Sequence, residues 1–215
     1  MSRDLSNYRD KYLKGELIEK NLPKDPFDLF NNWFEDLEKY GNERENNAMS
    51  LSTVNEKNVP TTRVVLLKQF SKKGFIFYTN YNSRKGSHIK NNPNVCVSFY
   101  WPSMERQVII NGKVSEISKI ESDKYFNSRP RSSQLGAIIS NQSEIIPSRK
   151  YLEDKLSKID SNNNDLIRPS NWGGYIIKPE LFEFWQGRDS RLHDRIIFSK
   201  SKTNWTHKRL SPWKD

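Results

Sequence analysis

Residues 61–79 read TTRVVLLKQFSKKGFIFYT, two apolar runs joined by a short polar segment. The runs at 61–67 and 75–79 are rich in β-branched and aromatic residues, which favours strands. Between them, Lys72-Lys73-Gly74 has the composition of a turn. The segment therefore predicts two strands.

Further strands and helices are predicted on both sides of these two strands, and five β segments within about seventy residues are close enough together for hairpins. Residue patterning predicts strands at 49–54, 95–100, 107–114, 172–177, 181–185, 192–198 and 205–210. Helices are predicted at 83–89, 120–126, 130–139 and 147–159. The first forty-odd residues also look helical, because Leu13 and Leu17 are spaced i,i+4 and Pro26 can open a helix with an apolar face. The pattern predicts a mainly β protein with peripheral helices (α+β), built on a barrel.

Composition predicts a folded protein of a reducing compartment. Aromatic residues make up 12% of the 215 residues, which argues against disorder. Cys96 is the only cysteine, so the chain has no means of forming an internal disulfide. The first ten residues lack the apolar segment of a signal peptide, and the aliphatic runs are too short to cross a bilayer. We therefore expect a cytoplasmic protein without a membrane partner.

The positive charge is concentrated in the middle of the chain. Residues 51–150 hold 16 Lys or Arg against 6 Asp or Glu, and the whole chain has a net charge of +10. A localised basic field favours an anionic partner, either nucleic acid or a ligand that carries phosphate. The alternative is a solvated basic surface without a ligand.

A first anion site is predicted at residues 78–85, YTNYNSRK. A strand here leads to a helix N-terminus, where free N–H groups favour an anion. Arg84 and Lys85 at the first turn oppose the helix dipole unless something negative lies beside them. A phosphate would resolve that conflict, whereas the alternative is that both side chains point into water.

A second anion site is predicted at residues 125–133, YFNSRPRSS. An arginine can hold a phosphate through two parallel N–H bonds, and hydroxyl groups can satisfy its other oxygens. Lys68 can serve either anion site. For Arg63 the alternative is a rim residue that faces solvent. Two such sites in one basic segment suggest two phosphorylated ligands.

A third candidate is residues 182–195, FEFWQGRDSRLHDR. Strand alternation would place Arg191, His193 and Arg195 on one face, with Leu192 and Asp194 on the other. Two arginines that flank a histidine are costly to bury without anionic or aromatic partners. A role facing a ligand is one interpretation, and a packed or surface histidine is the other.

Several common chemistries lack their sequence signatures. The chain has no GxGxxG loop, no Walker loop and no G-x-S-x-G elbow, and its three histidines are scattered. We expect no metal site. An enzyme of this composition would depend on a cofactor for its chemistry.

Seven segments in order carry a family resemblance between about residues 8 and 212: RVVLLK, FYTNYNSRKGSHI, ERQVIINGK, YFNSRPRSSQLGA, SNQS, WGGY and FWQGRDSRLHDR. The chain resembles the pyridoxamine/pyridoxine 5′-phosphate oxidases, flavoproteins that make pyridoxal 5′-phosphate. The resemblance implies an FMN-binding split β-barrel that is active as a homodimer, with flavin at the subunit interface. It also implies an N-terminal helical segment and substrate lid at 1–45 and the barrel at 46–215, in a single structural domain overall.

The resemblance also assigns residues by position. Those that match FMN contacts, some from the second subunit, are Arg63, Val64, Val65, Leu66, Leu67, Lys68, Tyr78, Thr79, Arg84, Lys85, Gln107, Gln142, Ser143, Trp185 and Arg195. Those that match substrate contacts are Arg9, Asp10, Lys11, Tyr12, Lys68, Tyr125, Arg129, Ser133, Arg191, Leu192 and His193. Arg191 and His193 match the catalytic pair that faces the pyridine ring.

The implied reaction transfers hydride from the substrate 4′ carbon to the flavin, and oxygen then accepts the electrons and yields hydrogen peroxide. The amine substrate also releases ammonia. One alternative is an FMN-binding reductase or flavin-storage protein of the same fold, which would not need the site around Arg129. Another is a basic RNA- or DNA-binding barrel that stacks bases on aromatic residues. The clustering of cations at helix starts and strand ends argues against the nucleic-acid alternative.

Overall fold

The computed structural model describes residues 2–8, 10–160, 165–202 and 204–212. The α-helices among them are α1 Pro26–Tyr40, α2 Arg84–Asn91, α3 Lys119–Ser128, α4 Arg131–Ile139 and α5 Arg149–Asp160. The strands are β1 Ala48–Val54, β2 Pro60–Leu66, β3 Gln69–Ser71, β4 Gly74–Asn80, β5 Asn94–Trp101, β6 Arg106–Glu116, β7 Trp172–Gln186, β8 Asp194–Ser201 and β9 Asn204–Leu210. The hydrogen-bonded strand order is β2-β1-β5-β6-β7-β4-β3, with β8 paired to β7 and β9 to β8.

Most of the predicted elements are confirmed, with three differences. The predicted strands at 172–177 and 181–185 form the single strand β7, which continues through Pro179. The short strand β3 was not predicted. The helix expected around Leu13 and Leu17 is wrong, because the backbone N–H groups of Lys14 and Leu17 donate to the Glu105 and Asp194 carboxylates at 2.9 and 3.0 Å. Carboxylates thus replace the helical acceptors of this segment.

Spatial contacts divide the chain into two compact units. The first contains residues 1–49, 97–111 and 179–215, and the second contains 50–96 and 112–178. Each unit combines segments that are distant in sequence, so the units do not test the predicted division into 1–45 and 46–215. That division stays a prediction.

The first unit is built around helix α1. Asp25 caps this helix by accepting the N–H of Phe27, and Pro26 occupies its first turn. Its buried face meets aromatic side chains edge to face: Phe30 lies 5.2 Å from Phe99 and Trp33 lies 5.2 Å from Phe184, between ring centroids. The predicted apolar face of this helix is therefore confirmed as core.

The second unit contains the strand-to-helix turn predicted to bind an anion. Strand β4 pairs antiparallel with the first half of β7, with Phe77 opposite Tyr175 and Thr79 opposite Gly173. Helix α2 follows directly, and the side chain of Ser83 accepts the N–H of Gly86. The predicted N-cap is confirmed, and it fixes where the helix begins.

We expect Gly86→Ala to destabilise the folded protein. A methyl group at this position would lie 1.9 Å from the Tyr81 carbonyl oxygen, so the turn before α2 would have to move. Overpacking of this kind costs about 1–3 kcal/mol. Gly136→Ala is the control, because its methyl group would meet nothing within 4 Å and a helical alanine is more stable than glycine by about 0.5–1 kcal/mol. Urea unfolding would measure the free energy of unfolding of both variants. A Gly86→Ala protein as stable as the wild type, or a Gly136→Ala protein that loses as much stability as Gly86→Ala, would contradict the prediction.

Candidate active site

The second unit holds a cavity of about 770 Å³ that we call the basic cavity. Twelve of the residues expected to bind FMN or substrate line it. They are Arg63, Val64, Val65, Leu66, Lys68, Tyr78, Thr79, Lys85, Tyr125, Arg129, Ser133 and Gln142. Residues far apart in the sequence are therefore brought together at one cavity.

Lys85 is buried at the wall of the basic cavity and is only 6% exposed. Its Nζ donates to Thr79 Oγ1 at 3.0 Å, Gln142 Oε1 at 3.1 Å and Ser83 Oγ at 3.3 Å, all neutral oxygens. Burial, together with the positive charge of Arg63, lowers the pKa of Lys85 to about 8. A cation placed in this way is stabilised by a bound anion.

Arg63 is held in place by its own unit. Its Nη1 donates to the Leu51 carbonyl at 2.9 Å and to Thr53 Oγ1 at 2.8 Å, and its Nη2 donates to Thr61 Oγ1. Burial and the nearby Arg84 lower the pKa of Arg63. The guanidinium is thus a fixed cation at the cavity wall, and the alternative of a solvated rim residue does not describe it.

Stacked aromatic rings form another part of the wall. The rings of Tyr78 and Tyr125 stack at 3.7 Å between centroids, and Trp172 stacks on Tyr78 at 5.6 Å. The guanidinium of Arg129 lies over the Trp172 ring at 4.7 Å. Burial raises the pKa of Tyr78 to about 12, so its hydroxyl stays protonated at neutral pH.

Two observations test whether a phosphorylated cofactor fits the basic cavity. Among the described residues that line it, four are Lys or Arg and none is Asp or Glu. Arg129 Nη1 is buried and has no hydrogen-bond partner in the described part of the chain. Since buried polar groups are normally paired, this donor points to an anionic ligand. The residues present therefore fit FMN and a phosphorylated substrate.

Three predicted FMN residues of the second unit lie outside the cavity lining. Leu67 is a core residue at 4% exposure. Arg84 is exposed, and its backbone N–H donates to Ser143 Oγ at 3.2 Å. Ser143 itself has a left-handed backbone, with φ of 78°. These assignments stay predictions.

The first unit holds a smaller cavity of about 210 Å³, which we call the histidine cavity. Five predicted residues line it, namely Asp10, Tyr12, Trp185, Arg191 and His193, together with Tyr8, Arg188, Asp189 and Ser190. Lys11 and Leu192 are exposed and do not line it. Arg9 lies outside the described residues.

The alternation predicted for 191–195 is wrong at its start. Arg191 belongs to the 3₁₀ turn Asp189–Arg191, in which Ser190 and Arg191 have left-handed φ values of 56° and 59°, and strand β8 begins only at Asp194. Arg191 and His193 still share a cavity, but Arg195 does not line it. Arg195 instead pairs with Glu183 at 2.8 Å.

His193 is enclosed by aromatic rings. Its ring centroid lies 4.8 Å from that of Trp185 and 5.5 Å from that of Tyr12. Its Nδ1 accepts the backbone N–H of Arg188 at 3.1 Å. Burial and the Arg191 cation lower the pKa of His193, while Asp194 opposes them. His193 is therefore packed against aromatic rings and also lines the histidine cavity, and its role toward a ligand stays a prediction.

Sequence reasoning missed some residues that line the basic cavity, and its assignment of Gln107 to FMN stays a prediction. Gln107 is a half-buried residue of strand β6 in the first unit and does not line the histidine cavity. The missed residues of the basic cavity are Asn80, Pro130, Gly136, Ala137, Ser140 and Trp172. The signal for Trp172 was its place in the WGGY segment.

A side chain at Gly173 in the same segment would lie 2.1 Å from the Tyr81 hydroxyl, so close packing requires a glycine at this position.

Two further observations concern metals and membranes. The described residues contain no cluster of three or more His, Cys, Asp or Glu side chains able to hold a metal ion. None of the helices in the described ranges is long and apolar enough to span a bilayer.

Two family models match the chain. The model described as pyridoxamine 5′-phosphate oxidase matches residues 40–163, which is more than half of the chain. The model described as the pyridoxine 5′-phosphate oxidase C-terminal dimerisation region matches residues 172–212.

Curated relatives match over nearly the full chain. The pyridoxine/pyridoxamine 5′-phosphate oxidase of Christiangramia forsetii is 53% identical over 214 residues, covering 99% of this chain and 100% of its own. That of Flavobacterium johnsoniae is 56% identical and covers 97% and 99%. The chloroplastic pyridoxine/pyridoxamine 5′-phosphate oxidase 1 of Arabidopsis thaliana is 46% identical. The match covers 97% of this chain and 41% of the Arabidopsis protein.

Solved structures share the fold. PhzG from Burkholderia lata, determined in complex with tetrahydrophenazine-1-carboxylic acid, superposes with a TM-score of 0.86 at 25% identity, covering 91% of this chain and 98% of its own. A pyridoxamine 5′-phosphate oxidase-related FMN-binding protein from Nostoc punctiforme superposes with a TM-score of 0.64 at 16% identity, covering 77% and 87%. These likenesses confirm the predicted split-barrel fold. With the family models and the curated relatives, they show that the chain belongs to the pyridoxine/pyridoxamine 5′-phosphate oxidase family.

Proposed function

We infer that the chain is an FMN-dependent oxidase that converts pyridoxamine 5′-phosphate or pyridoxine 5′-phosphate to pyridoxal 5′-phosphate. Oxygen is the electron acceptor, hydrogen peroxide is released, and the amine also yields ammonia. Relatives that are 46–56% identical over almost all of the chain bear this name. The structural observation that carries the inference is the buried, unpaired Arg129 Nη1 in a cavity whose described lining contains no carboxylate.

FMN would be held by the part of the basic cavity around Lys85. The Lys85 ammonium would bind the cofactor phosphate, because its present partners are neutral oxygens that leave its charge uncompensated. Arg63 would add a second fixed cation, and residues 64–66 would contact the cofactor along strand β2. When bound, FMN supplies the two-electron acceptor for the substrate 4′ C–H bond.

The substrate phosphate would be held around Arg129. Its unpaired Nη1 is a ready donor, and Ser133 and Tyr125 place hydroxyl groups on the same cavity. The Tyr125 pKa is raised by burial, so its hydroxyl remains a donor at neutral pH. Binding the phosphate at a fixed point orients the substrate ring, which is how positioning contributes to the rate.

The residues of the histidine cavity would act on the pyridine ring. Arg191 and His193 would hold the ring and its reacting substituent, with Leu192 beside them. Residues 9–12 would cover the substrate and exclude water, and Tyr12 already packs edge to face on His193 and Trp185. Gln107, Trp185 and Arg195 would contribute to the flavin site as the family resemblance implies.

The protein is a homodimer, because residues 172–212 match the dimerisation region of its family. We also propose that it acts in the cytoplasm. Cys96 is the only cysteine in the sequence, so the chain has no internal disulfide. This supports the proposed location, because the cytoplasm is a reducing compartment in which disulfides are rare.

Purified protein tests the proposal directly. We expect a yellow protein that releases FMN on denaturation, and that forms pyridoxal 5′-phosphate and peroxide from pyridoxine 5′-phosphate. Unphosphorylated pyridoxine is the matched control, and its much lower turnover would show that the phosphate is recognised. Bound FMN without turnover of either phosphorylated substrate would instead indicate a flavoprotein with another substrate.

We expect FMN affinity to fall as the pH rises above about 8. Lys85 has a pKa of about 8 in the FMN-free protein, so above that pH it is neutral and must take up a proton to pair with the phosphate. Below pH 8 it is already charged and no proton is taken up. Proton linkage then lowers the affinity by at most about tenfold per pH unit above 8. Fluorescence titration from pH 7 to 9.5 measures this, and a flat profile would contradict it.

A further inference from the structure

We propose that His193 acts on the substrate as a neutral hydrogen-bond donor through Nε2–H, and that the backbone amide of Arg188 sets this tautomer. The proposal rests on the proposed function and deepens it, because that function leaves open which group accepts a proton. It removes His193 from the candidates for the base.

The first step is the orientation of the ring. The Arg188 N–H points at His193 Nδ1 at 3.1 Å. A flipped ring would present a C–H group to that N–H, and the amide would lose its acceptor. Since an unpaired backbone donor is costly away from water, the amide selects the observed orientation.

The second step is the tautomer. A backbone amide can only donate, so the nitrogen that receives its hydrogen bond must be unprotonated. In a neutral imidazole the proton then lies on the other nitrogen, Nε2. No residue in the described ranges provides a hydrogen-bond partner for Nε2, although His193 lines the histidine cavity. The protein thus leaves one N–H group available to a ligand.

The third step is the protonation state. Conversion to imidazolium would place a proton on Nδ1 and lose the Arg188 hydrogen bond. Burial and the Arg191 cation lower the pKa of His193 and so also disfavour that form, whereas Asp194 favours it. The side chain of Arg188 pairs with Glu16 at 3.3 Å and with Asp194 at 3.5 Å. The second contact partly neutralises the Asp194 carboxylate. The other titratable groups on the same cavity are Tyr8, Asp10, Tyr12 and Asp189.

The chemical consequence is a fixed direction of hydrogen bonding. A neutral Nε2–H group can bind an oxygen acceptor of the substrate, such as an oxygen substituent on its pyridine ring, but it has no lone pair with which to accept a proton. The only basic nitrogen of the neutral ring is Nδ1, which is engaged by the Arg188 amide.

Nitrogen NMR tests the tautomer without reference to activity. The FMN-loaded protein would be labelled with ¹⁵N-histidine, and the signals of His193 would be assigned among the three histidines by their loss in His193→Gln. We expect a protonated Nε2 and an unprotonated Nδ1 at pH 7. An imidazolium, or a neutral ring protonated on Nδ1, would overturn the proposal even if the enzyme is active.

Two matched variants test the role. The amide nitrogen of glutamine can reach the position of Nε2, whereas that of asparagine is closer to Nδ1. In anaerobic flavin reduction by pyridoxine 5′-phosphate we expect His193→Gln to keep the rate within about threefold, and His193→Asn to lose about tenfold or more, as for a lost hydrogen bond. Equal large losses in both variants would show that an N–H donor at the position of Nε2 is not sufficient, and would overturn the proposal. If the wild-type flavin is not reduced at all, the proposed function fails while the NMR result still decides the tautomer.

Discussion

Replacing Lys85 with methionine is expected to weaken FMN binding by a factor of roughly 10 to 150. The Lys85 ammonium is buried at the basic cavity, and among the described residues it donates only to neutral oxygens. A bound phosphate would therefore provide it with a charged partner. Loss of a hydrogen bond between charged groups costs about 1.5–3 kcal/mol, which corresponds to this factor. Quenching of flavin fluorescence measures the dissociation constant.

Lys90→Met is the control for this prediction. Lys90 lies on the same helix α2 but is exposed and does not line the cavity. Because exposed charges are well screened, we expect its loss to weaken FMN binding by less than about fivefold. Thermal unfolding of the FMN-free proteins should show no loss of stability in Lys85→Met, since a costly buried cation is removed. An FMN affinity that is unchanged in Lys85→Met would show that Lys85 does not bind the cofactor phosphate.

The second large effect is a division between binding and rate. Arg129→Ala is expected to raise KM for pyridoxine 5′-phosphate by about tenfold or more and to leave kcat comparatively intact. The substrate phosphate does not change during the reaction, so its contacts are similar in the ground state and the transition state. Arg191→Ala is expected to lower the rate of flavin reduction at saturating substrate, because Arg191 lies with His193 on the histidine cavity.

Stopped-flow measurement under anaerobic conditions separates these effects. Arg131→Ala is the control, because Arg131 is an exposed arginine two residues from Arg129 that does not line the basic cavity. It should leave both KM and kcat close to wild type. If Arg129→Ala slowed flavin reduction at saturating substrate as severely as Arg191→Ala, the proposed division would be wrong.

Local patterns predicted much of the fold. Strand β4 and helix α2 follow from an apolar run, a serine cap and a helix start that lie next to each other in the sequence. Helix α1 follows in the same way from Asp25, Pro26 and an apolar face. These features depend on neighbours within a few residues, so the sequence is sufficient to predict them.

The N-terminal segment shows where such patterns fail. Leu13 and Leu17 have helical spacing, yet Leu13 is 73% exposed and the backbone of Leu17 bonds to the Asp194 carboxylate. The turn at Arg191 is a similar case, since its left-handed backbone is not apparent from the residue types. In the N-terminal segment, carboxylates distant in the sequence supply the hydrogen bonds that decide the local conformation.

By itself the sequence determined the strands and helices, the basic character of the central segment, and, through its seven matching motifs, the family. Only the tertiary structure decided that Lys85 rather than Arg84 lines the basic cavity, that Arg129 holds an unpaired donor, and that His193 accepts the Arg188 amide. The physical reason is one of range. Secondary structure and charge are set by residues close in the chain, whereas the burial and hydrogen-bond partners of a side chain depend on segments that meet only after folding.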